Sequence, residues 1–277
     1  TEAGGLAEVY KRTQDSEGNH VSLNAYVFYP PGLKASDRRS AIVFFFGGGW
    51  RAGSPNQFAQ HCKYLASRGM VAVTADYRVR SRHGTLAKDC VADGKSAVRW
   101  LRTQADRLGI DPDRIVAGGG SAGGHVAACT ATVQGFDDAG EDASVSSRPN
   151  ALALFNPAIL LAPYEETKQL DPEKTADLPE RMGTEPIRQS PIHHVTDTTP
   201  PTIIFHGRDD TTVPFWTVEA FRQAMDRSGN QCRLIGFQDK SHGFFNFGRD
   251  GITSYLDTIR QLDRFLVGSG VLTAVSD

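Results

Sequence analysis

The sequence has few cysteines, no long apolar run and almost no net charge. Its four cysteines, among 277 residues, form no CxxC pair, which argues against a zinc cluster, a redox motif or a disulfide scaffold. The longest apolar run, at 41–46, has six residues, far short of the roughly 18 that cross a bilayer. With 30 Lys and Arg against 32 Asp and Glu, no charge excess attracts nucleic acid or an anionic membrane. These absences exclude a transmembrane protein and predict no nucleic-acid partner.

Short apolar runs separated by amphipathic stretches predict an α/β protein. Residues 21–28 alternate between apolar and polar and predict a half-exposed antiparallel strand. The later runs do not alternate, which is typical of parallel strands covered on both faces; they lie at 41–46, 70–75, 114–117, 151–155 and 201–205. Helical patterns lie at 56–68, 122–134, 214–228 and 252–267, and a long one from 86 ends at Gly109. We therefore expect a mostly parallel, doubly wound sheet with helices on both faces.

No internal repeat or low-complexity linker divides residues 1–277, so we predict a single domain. The least regular stretch, 161–199, is rich in Pro, Thr, Asp and Glu and lies between two predicted strands. Loops of this length inside a domain are usually functional or contain a small inserted element. We expect this irregular insertion to form a rim of the functional site.

The strongest local signal is a serine between glycines at the junction of a strand and a helix. Gly119-x-Ser121-x-Gly123 follows the strand at 114–117 and opens the helix at 122–134, which is the context of a nucleophile elbow. The turn is too sharp for side chains two residues before and after the serine, which accounts for the glycines. The serine also lies at a helix N-terminus, where free N–H groups stabilise negative charge. The pattern predicts Ser121 as a nucleophile.

The same glycines also fit a dinucleotide-binding fingerprint. Gly118-x-Gly120-x-x-Gly123 has the required spacing, and an acidic residue, Glu141 or Asp142, follows about 20 residues further on. That acid should end the next strand of the fingerprint's βαβ unit, but here it lies in the polar stretch 137–147. An NAD-binding oxidoreductase is therefore the less favoured interpretation of the segment Gly118–Gly123.

Three consecutive glycines directly after a strand form a second signal, in the run Phe46-Gly47-Gly48-Gly49-Trp50. A tight turn would account for them. Consecutive glycines also let backbone N–H groups approach a ligand without obstruction. Their place at the end of an early strand favours an oxyanion-binding loop.

An acid and a histidine follow two later strands. The turn that begins at His206-Gly207 contains Asp209 and Asp210, and His242 follows the strand-like residues 232–237. Each feature alone is weak, because an acid after a strand is usually a cap and a lone histidine is usually structural. Together, the order of serine, acid and histidine is that of a hydrolase triad. Each member also follows the carboxyl end of a strand, where the active sites of such sheets lie.

These motifs resemble the α/β-hydrolase superfamily, in its esterase and lipase branch. That branch includes hormone-sensitive-lipase-like and bacterial carbohydrate esterases. The resemblance covers nearly the whole chain from Val21 to the final helix, and 76–78 and 97–101 also resemble common stretches of the branch. It implies an α/β-hydrolase fold with little or no cap domain, since only 45 residues precede the glycine loop.

The resemblance also implies roles for particular residues. The acid stands four residues after the histidine of the His-Gly turn, which selects Asp210 rather than Asp209. The oxyanion donors correspond to the backbone N–H groups of Gly48, Gly49 and Ala122. One departure is Phe46, where the branch usually has histidine, so the loop must be ordered in another way.

The expected reaction is hydrolysis of short-chain esters, acetyl esters first, with a carbohydrate as a candidate alcohol. Ser121 would attack the ester carbonyl, His242 would accept and return the proton, and Asp210 would orient His242. Aromatic residues near the site loops are candidates for the substrate pocket: Trp50, Tyr77, Trp216 and Phe244. A peptidase of the prolyl-oligopeptidase type shares the triad and is the main alternative.

We expect no metal or organic cofactor, because the eight histidines include no HExxH or other ligand cluster, and the pair at 193–194 is interpreted as structural. The expected partner is a small-molecule or oligosaccharide ester. The sequence does not decide the oligomeric state. The compartment also stays open, although the absence of an initiator Met and a carbohydrate substrate together favour an exported bacterial protein.

Overall fold

A single eight-stranded sheet organises the chain in the computed structural model, which describes residues 3–34, 36–165 and 167–274. The strand order is β1-β2-β4-β3-β5-β6-β7-β8. β1 pairs with β2 and β2 with β4 in antiparallel fashion, and all later pairs are parallel. The strands are β1 Leu6–Gln14, β2 His20–Phe28, β3 Arg39–Phe45, β4 Val71–Ala75, β5 Ile110–Gly120, β6 Ala151–Phe155, β7 Thr202–Gly207 and β8 Cys232–Phe237.

The helices follow the strands in the order expected of a doubly wound sheet. They are α1 Ala59–Ser67, α2 Arg80–His83, α3 Ala87–Thr103, α4 Ala105–Leu108, α5 Ala122–Thr132, α6 Pro172–Thr175, α7 Leu178–Met182, α8 Phe215–Arg227 and α9 Thr253–Gly268. Short 3₁₀ turns occupy Pro55–Phe58, Pro186–Gln189 and Pro191–His194. Among the described residues, no helix combines the length and apolar character needed to cross a membrane.

The parallel strands do not alternate in sequence because both of their faces are covered. Val43 and Phe45 of β3 pack into one apolar cluster with α3, α5 and α8. Ile42 and Phe44 of the same strand pack into a second cluster with α1 and α9. Most residues in the central part of these strands are therefore apolar whichever face they point to, and the predicted α/β fold with a mostly parallel sheet is confirmed.

Two details differ from the sequence-based expectation. The long helix from 86 breaks at Gln104 into α3 and α4, and Gly109 ends α4 with a φ of 65°. The edge strand β1 gave no apolar signal because it lies at the sheet edge and is rich in charged residues. Lys11 of β1 instead reaches inward to the fully buried Asp93 of α3, with Nζ 2.8 Å from the carboxylate.

The insertion at 161–199 is more ordered than its composition suggests. It contains α6, α7 and two 3₁₀ turns, each of which begins with a proline at its first or second position. Proline suits these positions because the first turn of a helix needs no backbone donor there. The insertion lies between β6 and β7, close to the carboxyl edge of the sheet.

His61 of α1 is a buried group that makes stability depend on pH. It is fully buried among aromatic rings of the second cluster, and neither ring nitrogen has a hydrogen-bond partner among the described residues. Burial lowers the pKa of His61 to about 3. The folded state therefore binds no proton at His61 between about pH 6.5 and 3, whereas the unfolded state does.

The free energy of unfolding should consequently fall as the pH drops below 6.5, and His61→Leu should remove this component. Between pH 6.5 and 5.0, the free energy of unfolding measured with urea should decrease by about 2 kcal/mol less in His61→Leu than in the unmodified protein. His20→Gln, at an exposed histidine, is the control and should match the unmodified protein. Equal decreases in the free energy of unfolding in all three proteins would contradict the conclusion that His61 is buried and neutral.

Candidate active site

Ser121 stands at the turn between β5 and α5 with a φ of 54° and a ψ of −120°. The chain approaches itself so closely here that side chains are excluded at two flanking positions. A Cβ at Gly119 would lie 2.4 Å from the Gly123 carbonyl oxygen, and one at Gly123 would lie 2.1 Å from the Phe45 carbonyl oxygen. The glycines of the motif are therefore required by backbone contacts, and the strained turn presents the hydroxyl beyond the sheet edge.

Three side chains from separate loops form an unbroken hydrogen-bonded chain. His242 Nε2 lies 2.9 Å from Ser121 Oγ, and His242 Nδ1 lies 2.7 Å from Asp210 Oδ2. Asp210 is buried, whereas Asp209 is exposed and points elsewhere. The structure thus brings together Ser121, His242 and Asp210, and of the two neighbouring acids it is Asp210 that contacts the histidine.

The carboxylate of Asp210 is held by donors on both oxygens. Oδ1 accepts the backbone N–H groups of Thr212 and Val213, each at 2.9 Å. Oδ2 accepts Asn156 Nδ2 at 2.5 Å and lies 3.2 Å from His206 Nε2. Burial alone would raise the pKa of Asp210, but hydrogen bonds from His206 and His242 outweigh it and hold that pKa well below the usual range. The carboxylate therefore stays charged against His242.

Asn156 and His206 were not predicted as members of the site. Asn156 follows β6 with a φ of 43°, and both side chains are fully buried behind the carboxylate. His206 belongs to the His-Gly turn that was used only to locate the acid. Asn156 has no sequence signal beyond its place at the end of a strand, so its role emerges only from the folded geometry.

The glycine loop after β3 adopts a conformation that favours glycine. Gly48 has a φ of 132° and Gly49 a φ of 63°. A Cβ at Gly48 would lie 2.1 Å from the Ala52 carbonyl oxygen. Within the described residues, the backbone N–H groups of Gly48, Gly49 and Ala122 have no hydrogen-bond acceptor. Gly49 and Ala122 line the same cavity as Ser121, whereas Gly48 does not border it.

Phe46, which replaces the usual histidine, is ordered by packing. Its ring is fully buried and stacks on Tyr77 with centroids 4.1 Å apart. The Tyr77 hydroxyl donates to the Phe46 carbonyl oxygen at 2.6 Å. One residue later, Gln57 Oε1 accepts the Gly47 N–H at 2.6 Å. A stacked ring and two hydrogen bonds therefore hold the start of the loop.

A small cavity of about 150 Å³ opens beside Ser121. At roughly 30 Å³ per water, it has the volume of about five waters. Its walls come from the glycine loop, the start of α5, the turn after β7 and the insertion. The lining side chains are mostly apolar and include Trp50, Ala158, Leu160, Leu161, Leu170, Leu178, Val213 and Pro214. Three charged residues, Asp171, Lys174 and Arg181, also line it.

Of the four aromatic residues expected in the pocket, Trp50 lines this cavity and the other three do not. Tyr77 is fully buried beneath the glycine loop, so no substrate can touch it. Phe244 is also buried, and its ring packs on Phe237 with centroids 4.7 Å apart. Trp216 is half-buried at the start of α8, outside the cavity lining. Sequence proximity to the site loops misassigned these three residues, because it does not report which way a ring points.

Trp50 is fixed through a histidine of α5, the helix that follows Ser121. Its Nε1–H donates to His125 Nδ1 at 3.1 Å, and His125 Nε2 lies 2.8 Å from the Gln189 carbonyl oxygen. His125 therefore carries its proton on Nε2, and burial lowers its pKa to about 4. The contact connects the glycine loop, α5 and the insertion.

No group of three or more His, Cys, Asp and Glu side chains in the described part of the chain is placed to hold a metal ion. The pair His193 and His194 instead bonds locally: each Nε2 lies within 3.0 Å of a backbone carbonyl oxygen of the insertion.

The BD-FAE family profile matches residues 27–225. Thermogutta terrifontis esterase 2 with propionate bound is 50% identical over 99% of this chain and 98% of that one, with a TM-score of 0.90. The same esterase phosphonylated by sarin is 48% identical over 99% of this chain and 98% of that one, with a TM-score of 0.93.

Curated relatives are more distant. "Probable carboxylic ester hydrolase LipM" of Mycobacterium tuberculosis is 31% identical over 73% of this chain and 48% of its own length. "Probable isoprenylcysteine alpha-carbonyl methylesterase ICMEL1" of Arabidopsis thaliana is 30% identical over 74% of this chain and 45% of its own length. The chain thus spans about half the length of the curated relatives it matches.

The hydrogen bond from Tyr77 to the loop can be removed with little change in volume. Tyr77→Phe should lower kcat for ester hydrolysis roughly 10-fold with little change in KM, because a displaced loop holds the developing oxyanion less well. Tyr64→Phe is the control, since it removes another tyrosine hydroxyl, which bonds the Asp263 carboxylate at 2.8 Å between α1 and α9. Equal losses of kcat in both variants would contradict a role of Tyr77 in positioning the loop.

Proposed function

Because the chain belongs to the BD-FAE family, in the esterase and lipase branch of the α/β-hydrolases, and so to the serine ester hydrolases, we propose that it cleaves short-chain carboxylic esters through an acyl-enzyme on Ser121. The observation that carries the proposal is the hydrogen-bonded chain of Ser121, His242 and Asp210 at the mouth of a 150 Å³ cavity. Acetyl esters are the first candidates.

In the first half-reaction, Ser121 Oγ attacks the ester carbonyl carbon while His242 Nε2 takes the hydroxyl proton. Asp210 fixes the proton of His242 on Nδ1 and stabilises the imidazolium that forms. The free N–H groups of Gly49 and Ala122, with that of Gly48 in the same loop, are the donors for the tetrahedral oxyanion. His242 then gives its proton to the alcohol oxygen as the C–O bond breaks, which leaves the acyl group on Ser121.

In the second half-reaction, a water molecule replaces the alcohol. His242 takes a proton from the water as its oxygen attacks the acyl carbon, and the same donors bind the second oxyanion. Collapse of this intermediate releases the acid, and His242 returns the proton to Ser121 Oγ. No step needs a group that this set of residues does not supply.

The size of the cavity supports a short acyl chain. Its volume of about 150 Å³ is below the roughly 300–1,000 Å³ of pockets for drug-sized ligands. Leu161 and Leu178 of the insertion are among the apolar residues that line it. Propionate and butyrate are bound in structures of Thermogutta terrifontis esterase 2, which is in keeping with acyl groups of this length.

A carbohydrate is the alcohol that a neighbouring cleft favours. An open cleft of about 460 Å³ is bordered by the amides of Asn56, Gln57, Gln60 and Asn246 and by Phe247. Gln57 and Asn246 bond each other through their amides, which leaves the amides of Asn56 and Gln60 for sugar hydroxyls, and an exposed aromatic ring packs on a sugar face. Phe247 is 49% exposed, and Gln57 connects the cleft to the glycine loop. We therefore extend the proposal to acetylated sugars.

The glycine pattern gives little support to the NAD-binding alternative. Gly118, Gly119 and Gly120 lie inside β5, where a Cβ at Gly118 would lie 2.7 Å from the Phe44 ring. A fingerprint would place such glycines in the turn that faces the pyrophosphate. The peptidase alternative uses the same triad, and peptide substrates test it in the same assay.

Hydrolysis of p-nitrophenyl esters from acetyl to octanoyl tests the esterase proposal. Ser121→Ala should lose roughly 10⁴-fold or more of the activity, whereas Ser144→Ala, at an exposed serine, should lose none. The unmodified protein should hydrolyse acetyl to butyryl esters at least about 10-fold faster than octanoyl, because the cavity is small. Activity that survives Ser121→Ala, or equal rates for acetyl and octanoyl esters, would contradict the proposal.

The carbohydrate part of the proposal has its own test. Phe247→Ala should lower kcat/KM for an acetylated disaccharide such as cellobiose octaacetate roughly 5-fold, because the stacking ring is lost. Its kcat/KM for p-nitrophenyl acetate should stay unchanged. Ile252→Ala, at an exposed apolar residue outside the cleft, is the control. If Phe247→Ala lowers kcat/KM for neither substrate, or for both equally, the result would argue against a sugar-binding cleft.

A further inference from the structure

Arg181 is a cation in the wall of the Ser121 cavity whose hydrogen-bonding capacity is mostly unused. It lies in α7 of the insertion and lines the same cavity as Ser121. In the described part of the chain, Nη2 is its one nitrogen with an acceptor, the carboxylate of Asp177. Nε is buried without any acceptor there. Nη1 also has no acceptor in that part of the chain, and unlike Nε it is not enclosed, so a ligand in the cavity can supply it with an acceptor oxygen.

The guanidinium is held in place rather than free to leave the cavity. Its carbon lies 5.8 Å from the centre of the Trp50 ring, close enough for a cation–π contact. Asp177 fixes one end from the preceding turn of the insertion. Trp50 is itself fixed by His125. Arg181 is therefore preorganised, and a substrate group need not order it on binding.

The charges around the cavity do not cancel. Asp177 is shared between Arg181 and Arg51, whose Nη2 lies 2.6 Å from its carboxylate. Lys174 and Asp171 also line the cavity. Of the charged residues that line the cavity itself, Lys174 and Arg181 are positive and Asp171 is negative. The excess is positive and lies around the cavity that receives part of the ester, so it favours an anionic substrate group over a cationic one.

We propose that Arg181 determines specificity by binding a carboxylate on the part of the ester that enters the cavity. This inference rests on the proposed esterase function and names the substrate class more narrowly. In so small a cavity, the carboxylate must lie within a few carbons of the scissile bond. Two kinds of ester meet this condition, namely monoesters of short dicarboxylic acids and acyl esters of short hydroxy acids. In both, the carboxylate accepts the Nη1 N–H groups of Arg181 and is paired with its charge.

Two matched pairs of esters test the proposal in a pH-stat assay, which needs no chromophore. Monoethyl succinate is compared with ethyl butyrate, which places the carboxylate on the acyl side. O-acetylglycolate is compared with propyl acetate, which places it on the alcohol side. Arg181→Met should lower kcat/KM for the carboxylate member of one pair about 10-fold or more, with the neutral members changed less than about 3-fold. The pair that responds identifies which side of the ester enters the cavity.

Two further variants separate charge from structure. Arg181→Lys keeps the charge without the fork of donors and should lose less than Arg181→Met. Arg80→Met removes an exposed arginine that pairs with Glu180 of α7 outside the cavity and should change neither pair. Equal losses in charged and neutral esters on Arg181→Met would overturn the proposal, as would a wild-type preference for both neutral esters.

A binding measurement distinguishes this inference from the esterase proposal on which it rests. Ser121→Ala cannot form an acyl-enzyme, so calorimetric titration with monoethyl succinate and with O-acetylglycolate reports binding alone. One of these ligands should bind at least about 10-fold more tightly than its neutral counterpart, and adding Arg181→Met should remove the difference. An absence of turnover with this binding intact would contradict the esterase function. Turnover without any such difference in binding would contradict the role of Arg181.

Discussion

The close contact between the end of β3 and the turn after β5 is the constraint on which the site depends. A Cβ at Gly123 would lie 2.1 Å from the carbonyl oxygen of Phe45 and 2.3 Å from that of Phe46. Only glycine permits this approach, which brings the glycine loop of one strand against the serine turn of another. The strands β3 and β5 are neighbours in the parallel sheet, so their carboxyl ends meet at one edge. Ser121 and the proposed oxyanion donors are therefore positioned by backbone contacts of the sheet.

The sequence predicts this part of the molecule because its constraints are local and leave a pattern. Glycine is needed on both sides of Ser121, buried parallel strands are apolar throughout, and the order of serine, acid and histidine follows the strand order. Contacts between distant segments leave no such pattern. Asn156 behind the Asp210 carboxylate and Gln57 beneath the glycine loop are single polar residues with nothing unusual around them. The edge strand β1 was missed because its charged residues resemble those of a loop.

The insertion between β6 and β7 decides what the cavity admits. Its composition predicts an irregular rim, but its short helices bring leucines and an arginine to within reach of the space beside Ser121. We propose that the leucines limit the length of the acyl chain and that Arg181 adds a fixed charge. Phe46 stands where the branch usually has histidine. Packing on Tyr77 orders the backbone of the glycine loop there, and the proposed oxyanion donors are backbone N–H groups that do not depend on the side chain of residue 46. The proposed catalytic residues thus lie at the edge of the sheet, and the proposed determinants of selectivity lie on the insertion.

The role of Ser121 as the nucleophile is tested most directly by identifying the residue that becomes covalently modified. Paraoxon transfers a diethylphosphoryl group to an activated serine and releases p-nitrophenol, and Thermogutta terrifontis esterase 2 has been observed phosphorylated by it. Mass spectrometry of the treated protein should show one adduct per chain, on the peptide that contains Ser121, together with loss of ester hydrolysis. Ser121→Ala should show no adduct. An adduct on another residue, or ester hydrolysis that continues after Ser121 is fully modified, would contradict the role of Ser121 as the nucleophile.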